Sequence, residues 1–156
     1  MEQEKYIGAE QSRSLFEYKN TSDVKKGHCV MLKNNPCKII SIHISKPGKH
    51  GDAKYHFVGK NILNGNKCEE IVTSHKKIIY PFINTCIGKI ISIENDGFIS
   101  LMDEKTMKIT ENLKINENMM EKINQNLEKD IEIYVKVLNV MDQEKIIEYK
   151  FTNLNI

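Results

Sequence analysis

The stretch CKIISIHISKPGKHGDAKYHFVGKNIL, residues 37–63, decides how this chain folds. In its first part Ile40, Ile42 and Ile44 alternate with Ser41 and His43. In its last part Ala53, Tyr55 and Phe57 alternate with Lys54 and His56. Alternation with a period of two marks strands with one buried face. Two such strands around a connection containing Pro47, Gly48 and Gly51 predict a β-hairpin. Outward from it, HCVMLK (28–33) reads as a strand leading to the turn NNP (34–36). On the other side NGN (64–66) is a turn, followed by the strands CEEIVTS (68–74) and KKIIYPFI (76–83). Short, closely spaced strands predict a small β-barrel. Residues 1–22 are polar and without periodicity, and are expected to form a flexible arm.

The second half predicts another β unit. IGKIISIENDGFISLMD (87–103) is two strands around Asn95-Asp96-Gly97, a sequence suited to a tight turn. NENMMEKINQNLEKD (116–130) gathers Met119, Met120, Ile123 and Leu127 on one helical face with charges opposite. IEIYVKVLNVM (131–141) alternates as a strand, DQE turns, and KIIEYKF (145–151) closes the unit. Strands, one helix, then strands match a five-stranded oligonucleotide-binding (OB) barrel. The fold class is therefore mostly β, with an arm over 1–22, a basic domain over 23–84 and an OB-fold domain over 85–156.

Charge separates the two halves. Residues 1–84 hold 14 Lys/Arg against 8 Asp/Glu, whereas residues 85–156 hold 9 against 13. Between Lys25 and Lys77 stand 11 lysines and all five histidines, with only Asp52, Glu69 and Glu70 opposing them. Such a segment has the electrostatic footprint of a nucleic-acid partner or of a lysine-rich solvated face. No apolar run approaches the ~20 residues of a membrane span. The first residues lack the apolar stretch of a signal peptide, so the expected compartment is the cytoplasm, alone or shared with the nucleus. Cys29, Cys37, Cys68 and Cys86 lack the spacing of a zinc knuckle. They are expected to be reduced, buried strand thiols, and no metal is expected.

The loop SKPGKHGDAK (45–54) is the candidate site. It is not a phosphate-cradling P-loop, because Gly48-Lys49 is followed by His50 and the position five before Gly48 is His43. A polar loop has no apolar walls to depress the pKa of a catalytic lysine. Gly48 and Gly51 permit positive φ and Pro47 stiffens the approach, so Lys49 is expected to project outward. An extended amine suits entry into a narrow macromolecular site, or modification by an enzyme that must reach it. Lys46, His50 and Lys54 form a positive collar that favours a phosphate-rich target.

SKPGKHGDAK, then HFV, then NILNGNKCEEI closely resemble the eukaryotic translation initiation factor 5A family. So do DVKKG and PCKII before the loop and DGFISLM in the second half. The resemblance runs from about Asp23 to the C-terminus. It implies an SH3-like N-terminal barrel joined to an OB-fold. It implies that Lys49 is converted to hypusine: deoxyhypusine synthase, which uses NAD, transfers a 4-aminobutyl group from spermidine, and deoxyhypusine hydroxylase completes the residue. Neither NAD nor spermidine would be a cofactor of this chain. The modified protein would bind ribosome, rRNA and peptidyl-tRNA, promote peptide-bond formation at stalled sites such as proline runs, and assist termination. Lys46, Gly48, Lys49, His50, Gly51 and Lys54 would make the tRNA and ribosome contacts. Lys26, Lys33, Lys38 and Lys67 are further candidate phosphate contacts. Pro47, Asp52 and Tyr55 depart from the family loop, and Asp52 places a negative charge three residues from Lys49.

Two other readings stand beside this one. An unmodified, general RNA-binding protein would use the basic barrel and OB-fold without Lys49. A self-assembling scaffold on this fold would dispense with the lysine, which is present. An enzyme is not expected, since no carboxylate pair, nucleophile–base set or metal constellation appears.

Overall fold

A computed structural model describes residues 15–46, 48, 51–127 and 130–153, with the side chains of Leu127 and Asn153 left aside. The chain divides into two units, Met1–Phe82 and Ile83–Ile156. No described helix is long and apolar enough to cross a membrane.

In the first unit β1 (Phe16–Asn20) pairs antiparallel with β6 (Lys77–Pro81). A second sheet runs in the order β2 (Cys29–Leu32), β3 (Asn35–Ser45), β4 (Lys54–Asn61), β5 (Lys67–Thr73). Val30, Leu32, Cys37, Ile39, Phe57, Cys68, Val72 and Ile78 form its core. This is the curled, SH3-like barrel expected from the residues.

Local expectations shift at three places. The arm does not reach residue 22, because Phe16–Asn20 forms five ladder pairs with Lys77–Pro81 and the Thr21 hydroxyl donates to the Lys76 carbonyl at 2.7 Å. Residues 1–14 of the arm lie outside the described residues. The turn assigned to NNP is centred on Lys33 and Asn34, both at positive φ (47° and 65°), as a two-residue hairpin requires. Pro36 instead lies in β3 opposite Met31. The division falls at Phe82/Ile83 rather than 84/85, since Ile83 and Asn84 already pair with Val140 and Asn139.

The third shift concerns the opening hairpin. Between Ile39 and Ser41 the ladder slips by one residue, a β-bulge at Ile40. Before the bulge Cys37 and Ile39 enter the core, and after it Ile42 packs against that core. Ile40 and Ile44 are half-exposed. Of the three alternating isoleucines, one packs on the core. Gly59 fits the crowded centre of β4: a Cβ there would stand 2.9 Å from Cys37 Cβ and 3.0 Å from the Lys38 carbonyl oxygen.

In the second unit the sheet order is β11 (Gln143–Asn153), β10 (Ile131–Val140), β7 (Ile83–Ile93), β8 (Phe98–Asp103), β9 (Ile109–Lys114). Asn112 of β9 donates to Glu144 of β11 at 3.4 Å, bringing the two edges of the OB sheet together. The Asn95-Asp96-Gly97 hairpin forms as expected, with Gly97 at φ 95° and the Phe98 amide bonded to the Asp96 carboxylate. The last turn is centred on Met141 and Asp142, both at positive φ, so it starts one residue before DQE. β9 was not legible, because its exposed Glu111, Asn112 and Lys114 leave little alternation.

The helix α1 (Glu117–Leu127) connects β9 to β10. Ile123 is fully buried, and Met119 and Met120 pack against the core of Ile90, Ile99, Leu101, Ile133, Val135 and Val137. The helix starts at Asn116, whose side-chain oxygen accepts from the Met119 amide at 2.8 Å. Replacing Asn116 by alanine orphans that N–H and should destabilise this unit by about 1 kcal/mol, read as a lowered melting temperature.

Candidate functional site

The β3–β4 hairpin carries the candidate loop. Its last ladder pair is Ser45 with Lys54, so the loop leaves the sheet between them. Lys46 and Lys54 are both exposed there, as are Gly48 and Gly51. Gly48 adopts φ 75°, with its amide donating to the Lys46 carbonyl at 3.1 Å, and a Cβ would meet nothing within 4 Å. Glycine is thus needed for backbone conformation and not for space. Pro47, Lys49 and His50 lie outside the described residues.

The returning leg is tied to the β5–β6 turn. The Ser74 amide donates to the Ala53 carbonyl at 2.8 Å, and His75 Nδ1 lies 2.9 Å from an Asp52 carboxylate oxygen. The negative charge that departs from the family loop is therefore opposed by a histidine whenever that ring is protonated. Tyr55, the bulkier departure, stacks on Phe57 with ring centroids 5.8 Å apart and packs against the core. Its bulk is turned away from the loop.

Cross-strand partners point to the same face of a sheet. The solvent face therefore reads in rows from the loop outward: Ser45–Lys54–Thr73, then His43–His56–Ile71, then Ser41–Val58–Glu69, then Lys38–Lys60–Lys67. Glu69 accepts from Lys67 at 2.8 Å and lies 2.9 Å from His56 Nε2. These bonds, that from Lys67 foremost, hold the Glu69 carboxyl below the usual carboxylate range. Of the candidate phosphate contacts, Lys38 and Lys67 share the far row. Lys33 lines an open depression with Asn35, Lys67, Cys68 and Glu69. Lys26 stands apart at the turn before β2. The far row is about 20 Å from Lys54, at ~3.3 Å per strand residue. The predicted site residues are thus two groups at opposite ends of one hairpin. Sequence reasoning missed Lys60, His43, His56 and His75, because only cross-strand register brings them to these places.

The four cysteines lie in strands, Cys37 and Cys68 buried and Cys29 and Cys86 half-buried. Burial pushes the Cys29 thiol up to about 11. Burial and the neighbouring Cys68 push Cys37 higher still, and burial also raises Cys86. At pH 8 only about one Cys29 in a thousand is thiolate, so alkylation should be slow in the folded protein and fast in denaturant, as followed by intact mass. Among the described residues no group of three or more metal-ligating side chains converges.

Known proteins share both halves. Residues 17–76 match the model for translation initiation factor 5A-like N-terminal domains. Residues 82–150 match that described as eukaryotic elongation factor 5A hypusine, DNA-binding OB fold. A structure of a translation initiation factor 5A family protein from Naegleria fowleri superposes with a TM-score of 0.74 at 31% identity, covering 88% of this chain and 99% of that one. The factor from Methanococcus jannaschii gives 0.64 at 31% identity over 87% and 96%. Eukaryotic translation initiation factor 5A of Zea mays is 36% identical over 81% of this chain and 80% of its own length. Factor 5A-2 of Solanum lycopersicum is 35% identical over 79% and 78%. The chain belongs to the eukaryotic translation initiation factor 5A family. Members of the family are translation factors and not enzymes, so the exposed loop is a binding and modification element.

Proposed function

We propose that this chain acts on the ribosome in the cytoplasm once Lys49 carries hypusine. It then positions peptidyl-tRNA to promote peptide-bond formation at stalled sites such as proline runs, and it assists termination. The observation that carries the reading is Lys49 within the G-K-H-G core, inside a family match that spans both halves of the chain. Deoxyhypusine synthase, with NAD and spermidine, and deoxyhypusine hydroxylase are the partners that make the residue. Lys49 is the nucleophile toward the 4-aminobutyl group and stays attached to it. The lengthened, doubly cationic side chain is narrow enough to pass between RNA phosphates. Holding the flexible acceptor end of the tRNA removes entropy that opposes reaction, so the chemistry stays with the ribosome. Lys46, Gly48, His50, Gly51 and Lys54 support the contact. The Gly48 backbone and the two bonds of the returning leg favour a defined presentation of the loop.

Peptide mass spectrometry across Lys46–Lys54, on protein isolated from its native cell, tests the reading. The mass increment of hypusine on Lys49 is the expected result. An unmodified Lys49 in native material overturns the mechanism and leaves the general RNA-binding reading.

A further inference from the structure

The bulge at Ile40 turns Lys38 onto the same face as Lys60, and β5 completes the row with Lys67. Like charges directly opposite one another across a ladder repel, so this arrangement costs stability. Only Lys67 has a carboxylate, Glu69, to offset it. Lys38 and Lys60 form no ion pair among the described residues, and both are exposed. Nothing in the fold requires three amines in one row.

We propose that Lys38, Lys60 and Lys67 form a second RNA contact, a ridge that binds backbone phosphates at the end of the hairpin away from Lys49. Strands about 4.8 Å apart place the outer two residues of the row ~10 Å from each other, a linear set of point charges suited to a linear polyanion. Lys33, in the depression beside Lys67, extends the ridge. An acidic protein partner fits this face less well, because such interfaces rest on buried apolar anchors. Among the residues in these rows Ile71 is the one large apolar side chain strongly exposed. The ridge rests on the translation-factor reading only for the identity of the RNA, and it needs no hypusine.

The test uses full-length protein from a bacterial host, which leaves Lys49 unmodified, titrated into labelled deacylated tRNA over a range of salt. Lys38→Ala/Lys60→Ala should reduce the slope of log affinity against log salt by about 1.8 on duplex RNA, and weaken binding roughly tenfold or more near 50 mM salt. Lys105→Ala/Lys122→Ala, exposed lysines of the second unit with the same change in net charge, should keep the wild-type slope. Lys49→Arg should also keep it, which separates the ridge from the loop. The melting temperature of the ridge variant should be unchanged or raised, since repulsion is relieved. A wild-type slope in the ridge variant overturns the proposal. Equal losses in the control pair, or no binding of tRNA by the unmodified wild type at low salt, also overturn it. None of these outcomes touches the mass measurement on Lys49, so the two readings fail independently.

Discussion

Lys49→Arg is expected to abolish the mass increment on the Lys46–Lys54 peptide and to reduce factor-dependent peptide-bond formation at a stalled proline pair by at least about tenfold. Arginine keeps the positive charge, but its guanidinium stays protonated and cannot act as the amine nucleophile that accepts a 4-aminobutyl group. The loop collar of Lys46 and Lys54 remains, so nonspecific attraction to RNA persists while the extended side chain is lost. Thermal stability should not change, because Lys46, Gly48 and Gly51 around this position are exposed and outside the core. A reconstituted translation reaction with modified wild type and the variant checks it. Full activity of Lys49→Arg would show that charge at this position suffices and that hypusine does not.

Phe57→Ala carries the largest expected effect on stability. Phe57 is fully buried at the centre of β4 and anchors the core beneath the hairpin that holds the loop. Truncating a buried phenylalanine costs about 3–5 kcal/mol through lost transfer energy and a residual cavity. A domain of this size has only about 5–15 kcal/mol in total. Calorimetry should therefore show the first unit melting at least ~12 °C lower or already unfolded, with the transition of the second unit retained. Modification of Lys49 should fall with it, since the Ser45–Lys54 pair that spans the loop depends on β4. Phe57→Leu should recover most of the stability by refilling the volume. A shift below about 1 kcal/mol would show that the core closes over the vacancy.

These two effects fall on different kinds of residue, and they were unequally legible in the sequence. Lys49 was identified by its neighbours Gly48, His50 and Gly51, a local signature needing no tertiary information. Phe57 was legible as a buried face through its alternation with His56 and Lys54. The OB half was readable because Asn95-Asp96-Gly97 and the Met119–Ile123 face are local signals too. What failed were features set by pairing. β1 reads as a polar arm until Lys77–Pro81 supplies its partner. β9 has weak alternation and is held between β8 and the approach of β11.

The amino-acid sequence by itself determined two β units, the helix between β9 and β10, the hairpin and the lysine at its tip. Each follows from side-chain periodicity or from residues that permit a turn. The tertiary structure alone decided which isoleucines of Cys37–Ser45 are buried and which lysines stand together. A bulge shifts register by one residue, and with a period of two that reverses every side chain on one side of it. Its position is set by packing Cys37 and Ile39 into the barrel while β3 runs on to the loop. That shift places Lys38 beside Lys60 and Lys67, as no pattern along the chain could show.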